Sequence, residues 1–273
     1  MSTKVEAFRR LHEAGCFVIP NPWDRGSAIY LESLGFKALA TTSAGFAWSA
    51  GRPDNGVTVE EVLEHLKVMS AAVDVPFNAD FEGGFAVEPE GVAANVGRAT
   101  RTGIAGLSVE DSTGDSNNPL FDFALAVERI KAARKAIDDS GTGVLLTGRS
   151  EGFFVGRPDI KETLRRLEAY AAAGADVLYA PGIRSKEDIA AVVKAVAPKP
   201  INLLVGGGWI TLAEAADLGV RRISVGGALA RFAWNSWAKA ARQIAESGSF
   251  AGLAFDAPSV SLNGLFGSSE PKS

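Results

Sequence analysis

A glycine followed within a few residues by a short apolar run recurs along this chain, each time at the end of a helical stretch. It appears as Gly35-Phe36-Lys37-Ala38-Leu39, Gly103-Ile104-Ala105-Gly106-Leu107, Gly174-Ala175-Asp176-Val177-Leu178 and Gly219-Val220-Arg221-Arg222-Ile223. Glycine suits the left-handed residue that closes a helix. A short, nearly unbroken apolar run reads as a parallel strand buried on both faces. Eight runs can be placed, near Phe17–Pro20, Ala38–Thr41, Phe77–Ala79, Leu107–Val109, Val144–Thr147, Val177–Tyr179, Ile201–Leu204 and Ile223–Val225. Helical patterns separate them. Three open on capping-box pairs, Thr58 with Glu61, Ser185 with Asp188, and Thr211 with Glu214. Strict alternation of strand and helix gives an α/β fold with a parallel sheet, and eight units predict closure into one (β/α)₈ barrel. The 273 residues suit a single barrel. The expected domain spans residues 1–255, with a C-terminal tail at 256–273 whose Leu262, Leu265 and Phe266 call for docking and whose last residues lack order. An open doubly wound sheet would carry a Gly-rich turn after its first strand; Pro20-Asn21-Pro22-Trp23 stands there instead.

The net charge of −4, without a run of like charges, gives no basic stripe for nucleic acid. The single cysteine, Cys16, rules out a disulfide framework or a cysteine-rich zinc site and fits a reducing compartment. The N-terminus is polar and no window reaches transmembrane length, so a cytoplasmic protein without a membrane partner is expected.

Catalytic groups of such barrels lie at the C-terminal ends of the strands. There this sequence places Thr41-Thr42-Ser43 and Asp54 after strand 2, and Asp80 and Glu82 after strand 3. Glu110-Asp111 follow strand 4, Arg149-Ser150-Glu151 follow strand 5, Asn202 lies on strand 7, and Gly226-Gly227 follow strand 8. Asp80, Glu82 and Glu110 crowd negative charge into one mouth, which raises a pKa or calls for a cation. With oxygen donors and no histidine nearby, Mg²⁺ or Mn²⁺ is the matched ion. Arg149 supplies a fork for a substrate carboxylate or phosphonate. His12 and His65 fall in helical patterns and read as packing or surface residues. Cys16 reads as a small core hydrophobe.

These segments in this order resemble the isocitrate lyase/phosphoenolpyruvate mutase superfamily. The resemblance runs from about Val5 to Ala245. It is carried by Thr41-Thr42-Ser43-Ala44-Gly45 through Gly51-Arg52-Pro53-Asp54, by Asn78-Ala79-Asp80-Phe81-Glu82-Gly83-Gly84, by Val109-Glu110-Asp111 and by Gly148-Arg149-Ser150-Glu151. It implies a Mg²⁺-binding (β/α)₈ barrel acting on a small α-oxo carboxylate. It also implies a homotetramer, a dimer of dimers, whose eighth helix swaps between subunits. That gives the aromatic-rich stretch from Ala228 to Glu246, with Phe232, Trp234 and Trp237, a role at an interface. By position, Thr42, Ser43 and Ala44 hold the carboxylate and oxo end of the substrate, with Arg149 and Asn202. Asp54, Asp80 and Glu110 hold the metal, with Glu82 added from the acidic cluster. Arg149, Asp54 and Glu110 carry the chemistry. The chain departs from the family at Asn78, where an Asp commonly opens the metal motif. It also has Ser112-Thr113 where mutases carry a lysine, and it lacks the Lys-Lys-Cys-Gly-His loop of the cysteine lyases. The segment Ser112 to Leu120 reads as a lid.

The expected function is a Mg²⁺-dependent carbon–carbon lyase or decarboxylase. Its substrate would be a small α-oxo or 2-hydroxy di- or tricarboxylate, cleaved through a metal-stabilised enolate. The alternatives are a phosphonomutase or phosphonopyruvate hydrolase, a non-catalytic binder of 2-oxo acids, and a phosphate-binding barrel isomerase built on Gly226-Gly227. Phe46, Trp48 and Phe153 are expected to set specificity.

Overall fold

A computed structural model describes residues 3–254 and 260–267. Eight strands alternate with helices: β1 (Phe17–Ile19), β2 (Leu39–Ala40), β3 (Phe77–Asp80), β4 (Gly106–Glu110), β5 (Leu145–Arg149), β6 (Val177–Tyr179), β7 (Ile201–Leu204) and β8 (Arg222–Ser224). All pairings are parallel, in the order β1-β8-β7-β6-β5-β4-β3-β2. The seam between β1 and β2 is closed by the Ala40 N–H donating to the Pro20 carbonyl at 3.1 Å. Asn21 reinforces it. Its Nδ2 donates to the Thr41 carbonyl at 2.8 Å, and its Oδ1 accepts from the backbone N–H groups of Val225 and Gly226 at 2.9 Å each. The expected barrel is present.

The helices are α1 (Thr3–Leu11), α2 (Arg25–Ser33), α3 (Ser43–Ser49), α4 (Val59–Ala72), α5 (Pro89–Ala99), α6 (Phe123–Ser140), α7 (Ile160–Ala172), α8 (Lys186–Val196), α9 (Leu212–Asp217), α10 (Ala228–Ser247) and α11 (Leu262–Gly267). Reciprocal capping boxes open α4 at Thr58 and Glu61 and α9 at Thr211 and Glu214. At α8 the Ser185 hydroxyl accepts from the Asp188 N–H. A further box, Asp24 with Ser27, opens α2.

Several strand limits differ from the hydropathy reading. β3, β4 and β5 run on to Asp80, Glu110 and Arg149 because backbone pairing continues where the side chains turn polar, with Glu110 in register with Arg149. The segment after β2 is not a plain loop: Thr42 caps α3, its hydroxyl accepting from the Gly45 N–H at 3.2 Å.

The core joins the barrel to the inner faces of the helices, with Phe8, Leu66, Phe81, Leu107, Leu146 and Ile189 fully buried. His12 is buried against the edges of the Phe8 and Phe17 rings, its Nδ1 bonded to the Phe8 carbonyl at 2.8 Å. His65 stacks on Phe46 at 3.9 Å between centroids. Both are packing residues, as expected. Cys16 is half-buried against the core. α10 differs from the other long helices: only Ala230 and Ala240 are buried, while Phe232, Trp234 and Trp237 stay exposed. In the tail, α11 packs on α2, with Phe266 beside Gly26. The final residues, 268–273, lie outside the described ones. Among the described residues no helix is long and apolar enough to cross a membrane.

Candidate active site

Asp80, Glu110 and Arg149 are the last residues of β3, β4 and β5, so the barrel holds them side by side at one end. The Arg149 guanidinium is bonded to Asp80 at 3.1 Å and to Glu110 at 3.0 Å, and its Nε donates to Glu151. Its Cζ lies 5.2 Å from the centre of the Tyr179 ring, at the end of β6. Burial works against its charge, but Glu110, Glu151 and Asp80 more than offset that and hold its pKa well above the usual value.

The carboxylates do not share this protection equally. Burial raises the Glu110 pKa well above the carboxylate range, and Glu151, Asp80 and Glu82 add repulsion. Glu82 is pushed up to about 8 by burial and by the charges of Asp80 and Asp54. Its Oε1 is buried without a hydrogen-bond partner among the described residues. Its backbone is left-handed, at φ 46°, which a non-glycine residue adopts only where the surroundings impose it. Arg129 imposes it. Buried on α6, it donates to the carbonyls of Gly83, Ala86 and Val87, stacks over Phe121 at 3.9 Å, and so fixes the turn after β3.

Two adjoining cavities meet at Arg149. The larger, about 550 Å³, is bordered by Thr42, Ser43, Ala44, Asp54, Asp80 and Tyr179, and its floor reaches Asn78, Asn202 and Arg222. The smaller, about 350 Å³, holds Glu82, Glu110 and Glu151 under Ser112, Gly114 and Pro119. The expected acidic cluster is therefore real but divided. Asp80 faces one cavity and Glu82 and Glu110 the other, with Arg149 between. Among the described residues no group of three or more Asp, Glu, His or Cys side chains is already gathered around one point.

The expected substrate residues all border the larger cavity, with their donors partly committed. The Ser43 N–H and hydroxyl both donate to Asp80 Oδ2, at 3.0 and 2.8 Å. Asn202 accepts from Arg222 Nε at 2.8 Å and donates to Ser224 Oγ at 2.9 Å. Asp54 sits on the loop before α4, its pKa raised by partial desolvation of its carboxyl and by the Asp80 charge. The aromatic expectation needs correcting. Phe46 is stacked on His65, Trp48 lies under Arg231 at 4.6 Å, and Phe153 packs against the core, whereas Phe154 and Phe232 border the cavity. The lid segment forms a small antiparallel bridge, Ser112 to Leu120, with the Thr113 N–H donating to the Pro119 carbonyl at 3.0 Å.

Residues to which the sequence reading gave no role fall into two groups. Asp111 accepts from Arg166 at 3.0 Å, from the Tyr170 hydroxyl at 2.7 Å and from the Glu151 N–H at 2.8 Å. It thereby anchors one of Arg149's carboxylate partners. Nothing in the sequence pairs it with α7. Tyr179 and Arg222 lie on strands and face inward; the period-two alternation within each run was the available signal.

Comparison with known proteins agrees with this geometry. Residues 8–245 match the phosphoenolpyruvate phosphomutase family. The oxaloacetate decarboxylase of Paraburkholderia xenovorans is 31% identical over 222 residues, covering 78% of this chain and 71% of its own. A Burkholderia cenocepacia protein whose structure is provisionally described as a lyase/mutase superposes with a TM-score of 0.92 at 44% identity, covering 97% of this chain and 96% of its own. The 2,3-dimethylmalate lyase structure superposes with a TM-score of 0.85 at 28% identity, covering 98% and 95%. With its barrel, its acidic strand ends and these relatives, the chain belongs to the phosphoenolpyruvate mutase family of the isocitrate lyase/phosphoenolpyruvate mutase superfamily and is an enzyme of the lyase type.

Proposed function

We propose that the protein is a Mg²⁺- or Mn²⁺-dependent carbon–carbon lyase, in its simplest form a decarboxylase, acting on a small 2-oxo or 2-hydroxy di- or tricarboxylate. The observation that carries this reading is Arg149 held between Asp80 and Glu110 on the wall of a cavity of about 550 Å³. The donor set fits a divalent ion. Asp80, Glu110 and Glu151 share one guanidinium, and the nearby Glu82 Oε1 is left buried without a partner among the described residues. Asp80, Glu82 and Glu110 would hold the ion, largely through water. When bound, it supplies Lewis-acid stabilisation of negative charge growing on the substrate's oxo oxygen.

The chain's own residues do the rest. Thr42, Ser43 and Ala44 at the start of α3 receive the substrate's carboxylate end, and Arg149 faces the charge that develops. Breaking the bond between C3 and C4 of an oxaloacetate-like acid releases CO₂ and leaves the electron pair on an enolate, so no base is needed to start. A proton must then return to C3. Tyr179, whose pKa burial lifts to about 12, keeps its hydroxyl proton at neutral pH and borders the cavity. Asp54, with its raised pKa, is the base available to an aldol-type cleavage. Relatives named oxaloacetate decarboxylase and 2-methylisocitrate lyase support this class of reaction. We place the enzyme in the cytoplasm as a homotetramer. The exposed Phe232, Trp234 and Trp237 of α10 support exchange of this helix between subunits.

The test is pyruvate release from oxaloacetate with Mg²⁺, with chelator, and with Arg149→Ala. Metal-dependent release above that of Mg²⁺ alone is expected, falling on the order of 100-fold in the variant. No enzyme-dependent release removes the decarboxylase reading, and turnover of phosphonopyruvate in its place redirects it to P–C chemistry.

A further inference from the structure

Barrels of this kind are normally filled by layers of branched apolar side chains. Here the layer beneath Asp80 and Arg149 is polar: Asn78, Ser108, Thr147, Asn202, Arg222 and Ser224 are all buried. Arg222 is only 3% exposed. Its Nε donates to Asn202 at 2.8 Å and its Nη2 to Thr147 Oγ1 at 3.2 Å. Its Nη1 has no hydrogen-bond partner among the described residues, although the side chain borders the larger cavity. No ion pair involves it among the described residues, whereas Arg149 has three carboxylates. Burial lowers its pKa to about 10, so it stays charged at neutral pH. A buried cation with no counter-charge is costly and calls for an anion.

The position suits the far end of a substrate. Thr147, which the Arg222 guanidinium meets, lies two residues before Arg149 on β5. Two residues of parallel strand span about 6.6 Å. That is the reach of a four- or five-carbon chain with one end held near Arg149.

We propose that Arg222 is the residue that recognises the second carboxylate of the substrate, which would lie turned toward the barrel floor. This rests on the proposed function above, which assigns no residue to the substrate's far carboxylate. An ordered water on Nη1 is the competing occupant.

Calorimetry with Mg²⁺ separates the two, using acid pairs that differ only in the far carboxylate: 2-oxoglutarate against 2-oxovalerate, and malate against 2-hydroxybutyrate. In the wild type the dicarboxylate of at least one pair binds about tenfold tighter or more, the size of a charge-assisted hydrogen bond. Arg222→Met brings that ratio near one. Asn202→Asp, which gives Arg222 an internal carboxylate, also lowers it, and keeps the test open if the methionine variant does not fold. No dicarboxylate preference in the wild type, or a ratio that survives both substitutions, overturns the subsite and favours water. Failure of all four acids to bind with Mg²⁺ overturns the proposed function, and the subsite falls with it.

Discussion

Asp111 touches neither cavity, yet its removal should disturb the active site. Its carboxylate is 2% exposed and accepts from Arg166, Tyr170 and the Glu151 backbone. Arg166 also donates to the Phe121 carbonyl at 3.1 Å, and the Phe121 N–H returns to the Asp111 carbonyl at 2.9 Å. One carboxylate thus ties α7 to the base of the lid and to a partner of Arg149. Asp111→Ala leaves a buried guanidinium without its main counter-charge, a loss worth about 3–5 kcal/mol. Arg166 keeps Glu162 at 2.8 Å, which places the expected value near the lower end, about 3 kcal/mol. With a urea slope of about 3 kcal/mol per molar, the unfolding midpoint falls by about 1 M. The double variant Asp111→Ala/Arg166→Met should recover at least about 1 kcal/mol of the summed losses, because the stranded charge is gone. Urea titration followed by circular dichroism reads both. A loss below about 1 kcal/mol, or strict additivity in the double variant, would refute the reasoning.

Three further outcomes are expected. Burial, helped by the Arg222 charge, lowers the His12 pKa from 6.5 to about 3, so its contribution to stability is complete above pH 6.5 and lost as pH falls toward 3. This comes to about 2 kcal/mol by pH 5; urea midpoints at pH 8 and pH 5 should differ less in His12→Leu than in the wild type. Tyr179→Phe should lower kcat by about 100-fold with a small change in KM, read by pyruvate release; an unchanged kcat excludes the hydroxyl as the proton donor. A Cβ on Gly106 would lie 2.6 Å from both Asn78 Oδ1 and the Phe8 ring, so Gly106→Ala should cost about 1–3 kcal/mol in thermal or urea unfolding. A neutral result there would mean that the barrel floor is looser than it looks.

The sequence by itself determined the architecture. Glycine-terminated helices followed by apolar runs leave few options but a parallel sheet, and eight of them close it. The same logic placed Asp80, Glu110 and Arg149 at one end, because strand ends in such a barrel share a face. Helix starts were legible wherever a cap is local, as at Thr58 and Thr211, since the partner lies three residues away. Strand limits were less so: hydropathy stops at Asp80 and Arg149, while backbone pairing does not.

What the tertiary structure decided is how charges are paired. Arg149 meets Asp80 across 69 residues, Asp111 meets Arg166 across 55, and Arg222 reaches Thr147 across 75. No periodicity encodes such partners, because they depend on barrel closure and on the register between neighbouring strands. Register is also what divides the acidic cluster into two cavities and leaves Arg222 on the barrel floor without a carboxylate partner among the described residues. The chain's composition names the charges at this site; only the closed barrel determines which of them are neutralised from within and which are left for a substrate.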